Sequence, residues 1–203
     1  DSPSGWSHIK RELGLPKNVQ WIFPPAPTQP VSCNGGARMT SWFDIEEIPV
    51  RPSTASASQS DLDNARSAIV KIIDELNAKG ISSDNIIVGG FSQGGSMAIY
   101  SAFSRAKEDE KLAGCVCLSG WVQGEMEARI TSAPTGVKDT KMFWGHGAID
   151  NMVESSLVNK GIASLKSWGI KNIDTYIVPG MAHSASPDEM AKVKEFIMAQ
   201  FGL

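Results

Sequence analysis

Apolar positions along the chain alternate between short continuous runs and longer stretches with a helical period. The helical pattern is clearest where Leu62, Ala65, Ile69, Ile72, Ile73 and Leu76 share one face of a segment that Ser60 can cap and Gly80 can stop. Short runs at Val19 to Phe23, Asn85 to Gly89, Leu112 to Leu118, Lys141 to Gly145 and Ile173 to Val178 read as strands. Further helices are predicted from Ser92 to about Ala106 and from about Glu154 to Trp168. The last one follows Ser186, Pro187 and Glu189, which supply an N-cap, a first-turn proline and a capping-box acid. From Phe23 to Gln59 the chain is rich in Pro, Gly, Ser and Thr and is expected to be a long loop, most mobile between Ser53 and Ser58. The stretch from Gly120 to Thr140 is mixed and turn-rich. Strand–helix alternation implies a mostly parallel sheet with helices on both faces, and sites in such sheets lie at the carboxyl ends of the strands.

Composition narrows the function classes. The chain has 203 residues, a length suited to one domain with one core, and a formal net charge of −3. Its basic residues are scattered, which excludes an electrostatic footprint for nucleic acid. No apolar run approaches the roughly 20 residues needed to span a bilayer. Cys33, Cys115 and Cys117 form neither a disulfide framework nor a zinc site, so Cys115 and Cys117 are expected as small core residues on one strand face. The absence of an Asn-x-Ser/Thr acceptor points to an intracellular protein. No metal or cofactor is implied.

The chemistry starts at Gly90-Phe91-Ser92-Gln93-Gly94, a Gly-x-Ser-x-Gly pattern between a predicted strand and a predicted helix. A sharp turn there lifts the serine hydroxyl above the sheet edge, with the helix start facing developing negative charge; this is the nucleophile elbow of an α/β-hydrolase fold. Ser92 then needs a base. His8 lies in a polar early segment and reads as a surface residue. His183 and His146 each follow a strand, and chain order favours His183, because this fold orders its partners Ser, acid, His. His146 reads as a buried ring that shapes the next loop. Asp150 follows the strand that ends near Gly145 and is the expected acid; Glu154 is its nearest rival, and Asp139 sits at the wrong end of that strand. The Gln93 N–H is the expected backbone donor to the oxyanion.

With those residues assigned, the chain resembles the acyl-protein thioesterase family, also described as lysophospholipase or carboxylesterase. The marks are Pro24-Pro25-Ala26-Pro27, Ser41-Trp42-Phe43-Asp44-Ile45, Gly89 to Gly95, His146-Gly147 with Asp150, and Gly180-Met181-Ala182-His183-Ser184. Pro30 to Asn34 and His146 to Asn151 look closer to plant-type members. The resemblance implies cytoplasmic enzymes that deacylate S-acylated proteins and often cleave lysophospholipids or small esters, with at most transient membrane contact. A homodimer is compatible with it. It also implies a His-Gly-Leu-Gly-Asp loop whose end would be Asp1-Ser2, which puts the second oxyanion donor and a strand upstream of residue 1. Trp42, Phe43, Trp121 and Val153 are candidate walls of an acyl channel, and Trp121-Val122-Gln123 departs from the family's Trp-Leu-Pro. Two other readings stay open: a small-ester hydrolase without a protein substrate, and a non-catalytic ligand-binding member of the fold.

Overall fold

A computed structural model describes residues 3–203, so the expectation placed on Asp1 and Ser2 lies outside the described residues. Two short helices, α1 (Pro3–Trp6) and α2 (Ile9–Leu13), lead to an antiparallel hairpin of β1 (Thr28–Val31) and β2 (Ala37–Thr40). After the long helix α3 (Gln59–Ala78) come β3 (Ile87–Phe91), α4 (Gln93–Phe103) and β4 (Gly114–Leu118). Two short helices follow, α5 (Glu127–Ser132) and α6 (Thr135–Lys138), and then β5 (Met142–Gly147), α7 (Ser156–Ser167), β6 (Ile173–Val178) and α8 (Pro187–Phe201). Strands β3, β4, β5 and β6 lie in that order in one parallel sheet.

The strand alternation sorts side chains to two faces. Cys115 and Cys117 of β4 and Met142 and Trp144 of β5 join one core cluster, with Leu62 and Ile73 of α3, Met97 and Phe103 of α4, and Leu157 and Leu165 of α7. Their neighbours Val116, Leu118 and Phe143 face the other way and pack with Leu13 of α2 and Met190, Val193 and Phe196 of α8. Every residue of β4 is buried, as expected of a parallel strand covered on both faces. Cys115 and Cys117 share a face, are fully buried and carry free thiols whose pKa burial raises.

Several sequence expectations change. Val19 to Phe23 is irregular: its residues alternate between half-buried and exposed, as a strand's would, and Ile22 is 49% exposed. No strand among the described residues pairs with it, and a short apolar run without a ladder partner is not a strand. The segment expected as loop contains the β1–β2 hairpin, turned through Gly35 and Gly36 with positive φ. The cap of α3 is Ser58, whose hydroxyl accepts the Asp61 N–H at 3.1 Å, and Ser60 already lies within the helix. In α8 the Ser186 hydroxyl accepts the Glu189 N–H as expected. The reciprocal half of that capping box is weak: the Ser186 N–H faces the buried Glu189 carboxylate, but neither oxygen reaches a well-formed hydrogen bond.

Candidate active site

Ser92 occupies the turn between β3 and α4 with φ 56° and ψ −121°, a region that L-residues with a side chain rarely enter. Such a residue is worth about 1–3 kcal/mol of strain, sustained only where its surroundings fix it. Here Ser92 N–H donates to Leu118 O at 2.8 Å, and Ser92 O accepts the Ser96 N–H at 3.1 Å. Gly90 is required by close approach, since a Cβ there would meet the Gly94 backbone at 2.2 Å. Gly94 differs: a Cβ there would face open space. The first N–H groups of α4 have no intrahelical acceptor, so the Gln93 N–H is free to serve a ligand.

Asp150 and His183 meet across loops that leave two neighbouring strands. The His183 Nδ1 lies 2.8 Å from Asp150 Oδ2, and the other carboxylate oxygen accepts the N–H groups of Met152 and Val153, each at 2.8 Å. Burial alone would push the Asp150 carboxyl up, but the His183 bond and the two backbone N–H groups outweigh it, and its pKa lies below the usual range. A carboxylate can only accept, so His183 Nδ1 carries the proton, which leaves Nε2 as the basic nitrogen. The His183 ring packs on Phe91, the residue before Ser92, with centroids 4.7 Å apart. Among the described residues no hydrogen bond joins Ser92 Oγ to His183; such contacts often tighten only once substrate is bound.

His146 is the second ring on Asp150. Its Nε2 is 3.0 Å from Val153 O and 3.5 Å from Asp150 Oδ2, and its side chain is wholly buried. Because a carbonyl must accept, Nε2 holds the proton, and Nδ1 has no partner. Burial holds the His146 pKa down, against the bond to Val153 and the charge of Asp150. Glu154, the rival acid, pairs with Arg51 at 3.1 Å on the surface. Asp139 caps α6 at the amino end of β5, away from His183.

The expected channel residues separate. Phe43, Trp121 and Val153 are 0%, 2% and 2% exposed and belong to the main core cluster, where the Phe43 and Trp121 rings meet edge to face at 5.7 Å. Only Trp42 is half-buried. Val153 sits in a backbone tie, with Val50 N–H donating to Met152 O and Glu154 N–H to Val50 O. An open cleft of roughly 330 Å³ runs beside His183 instead, lined by Trp6, His8, Glu12, Phe91 and Ser184. His8, expected at the surface, has a side chain 54% exposed but forms part of that wall. A larger groove of about 550 Å³ includes Lys141 and Asn172, at the amino ends of β5 and β6, and neither Ser92, His183, Asp150 nor any expected channel residue lines it. Among the described residues no His, Cys, Asp or Glu cluster could hold a metal.

Sequence reasoning missed one contact set altogether. The Gln93 side chain bonds the backbone of Trp42 and Phe43 and the hydroxyl of Ser41, about fifty positions away. Nothing local in the sequence signals a pairing at that separation.

The chain has relatives among known proteins. Residues 1–201 match the phospholipase/carboxylesterase family model. The chain belongs to that family. It is 34% identical to the carboxylesterase SOBER1 of Arabidopsis thaliana, across 89% of this chain and 76% of that one. It is also 34% identical to acyl-protein thioesterase 1 of Candida albicans, across 97% and 86%. The crystal structure of Arabidopsis SOBER1 superposes with a TM-score of 0.90 at 31% identity, covering 98% of this chain and 93% of that chain. Maize acyl-protein thioesterase 2 gives a TM-score of 0.81 at 27% identity, covering 100% and 90%. The fold is therefore that of an α/β-hydrolase, and the chain is a serine hydrolase of the thioesterase and carboxylesterase kind. No described helix is long and apolar enough to cross a membrane.

Proposed function

We propose that Ser92, His183 and Asp150 act as nucleophile, base and orienting acid in hydrolysing acyl thioesters, with S-acylated proteins as the substrate class. The observation that carries this is the 2.8 Å bond from His183 to an ionised Asp150, in a fold that also holds Ser92 in a strained elbow at the carboxyl end of β3. His183 Nε2 takes the Ser92 proton as Oγ attacks the acyl carbon, while Asp150 stabilises the imidazolium that forms. The tetrahedral oxyanion accepts from the Gln93 N–H at the start of α4. Collapse expels the thiolate, which His183 protonates, and leaves an acyl-Ser92 ester. Water activated by the same imidazole then releases the acid and restores Ser92.

A second reading, hydrolysis of small carboxylic esters or lysolipids, is favoured by one observation. Phe43, Trp121 and Val153 are closed into the core, and the cleft at His183 is an open one of about 330 Å³ with His8, Glu12 and Ser184 on its wall. Hydrolysis of matched acyl thioesters and oxyesters across a chain-length series decides between the two. The thioesterase reading predicts higher kcat/KM on long-chain thioesters, and a preference for short oxyesters would replace it with the second reading. Fluorophosphonate labelling, compared with Ser92→Ala, tests the enzyme itself.

A further inference from the structure

Gln93 was expected to contribute only its backbone N–H, yet its side chain makes the densest set of long-range hydrogen bonds near the elbow. Its Nε2 donates to Phe43 O at 2.7 Å and to Ser41 Oγ at 2.9 Å, and its Oε1 accepts the Trp42 N–H at 3.1 Å. The single Ser41 hydroxyl proton goes to Phe43 O at 2.5 Å, which leaves Oγ free to accept from Gln93. The far end of this tie is itself anchored. Ser41 N–H donates to Pro27 O, Gln29 Nε2 donates to Ser41 O, and the Phe43 ring is wholly buried against Trp121. The amide therefore bridges the first residue of α4 to a fixed part of the core.

That first residue carries the N–H aimed at the oxyanion. Its peptide follows Ser92, whose φ of 56° already bends the chain sharply, and it lacks the intrahelical bond that would hold it. Rotation of the Ser92–Gln93 peptide would turn the donor away from the oxyanion. A preorganised donor supports the transition state only if it need not reorient during the reaction. We infer that the Gln93 side chain is a positioning residue for its own backbone N–H, acting through the Ser41–Phe43 segment. This rests on the serine hydrolase mechanism proposed above and adds to it.

The test uses Gln93→Met, which keeps the length of the side chain and removes its three bonds without adding charge. It is made in the full-length protein, with active sites counted by titration so that misfolded molecules do not enter the rate. A donor that wanders loses transition-state stabilisation whatever the acyl chain. The expected result is a kcat about tenfold lower, equally on p-nitrophenyl acetate and on a long-chain ester, with KM within about threefold. A short trifluoromethyl ketone, which forms an oxyanion on Ser92, should bind weaker by the same factor. Ser41→Ala should show a smaller loss of the same kind, and the double variant less than the product of the two. A loss confined to long acyl chains would assign the side chain to the acyl wall and overturn the inference. So would a kcat and ketone affinity within twofold of the unaltered protein, or losses that multiply in full. If the unaltered protein resists fluorophosphonate, the enzyme reading itself fails; if it reacts and Gln93→Met changes nothing, only this inference does.

Discussion

Two imidazoles flank the Asp150 carboxylate, and they differ in what lies behind them. His183 bonds Oδ2 at 2.8 Å through Nδ1 and keeps 15% of its side chain exposed, on the wall of the cleft. His146 approaches the same oxygen at 3.5 Å but spends its proton on Val153 O and is sealed in the core, with Nδ1 unpartnered. The two are placed differently: His146, expected after a strand, lies within β5 opposite Ile177, whereas His183 is on the loop after β6. Residue type and distance to an acid do not make a base; solvent access and the direction of the free nitrogen do. A closed imidazole whose pKa is held down by burial has nowhere to send a proton, and in the proposed mechanism His146 holds the 147–153 loop through its bond to Val153 O.

The largest effect that can break this comparison is expected from Asp150→Asn. Oδ1 must remain an acceptor for the Met152 and Val153 N–H groups, so the new amide nitrogen would face His183. That forces the proton to the wrong ring nitrogen and should lower kcat about 10⁴-fold, measured on any activated ester. His183→Gln should lower kcat/KM by a similar order with little change in melting temperature, because its ring is partly open. His146→Ala should do the reverse. It leaves a cavity and an unbonded Val153 carbonyl, so stability in a urea titration should fall by about 2–4 kcal/mol while kcat per titrated site falls less than about tenfold. If His146→Ala were stable and inactive, the roles of the two rings would be exchanged.

How far the site can be read from sequence follows the same division between local and distant causes. The elbow is local: Gly90, Ser92 and the helix after it lie within a few residues, and the clash at Gly90 is with Gly94. The pairing of His183 with Asp150, 2.8 Å apart, was legible because chain order and position after strands single out both residues. Val19 to Phe23 was misread because a short apolar run describes one strand and says nothing of its neighbour. Trp42, Phe43, Trp121 and Val153 read alike as apolar residues near the site. Packing alone separates the half-buried Trp42 from three that are closed into the core. The bonds from Gln93 to the Ser41–Phe43 segment are a tertiary pairing with no local signature.

Smaller effects come from pH, and two buried groups act with opposite sign. His146 is held below its ordinary value of 6.5, so the unfolded chain binds a proton there that the folded chain refuses. Its contribution is full above that value and falls away as the pH drops through and below it. Glu189, pushed up by burial from 4.5 to about 7, is protonated in the fold when the unfolded carboxyl is not. Its contribution favours the fold below 4.5 and is lost as pH rises toward 7, after which an unpaired buried charge remains. Glu189→Gln should therefore raise the melting temperature more at pH 8 than at pH 5, by up to roughly 3 kcal/mol of stability. An equal shift at both values would mean that the carboxylate finds a partner after all.

The central claim is that His183, and not His146, activates Ser92. The most direct measurement is the second-order rate of fluorophosphonate labelling at pH 7 in His183→Gln and His146→Gln, each corrected for folded fraction. The account predicts that labelling slows by about 10³-fold or more without His183 and stays within about tenfold of the unaltered protein without His146. Rapid labelling without His183 together with loss of labelling without His146 would contradict it.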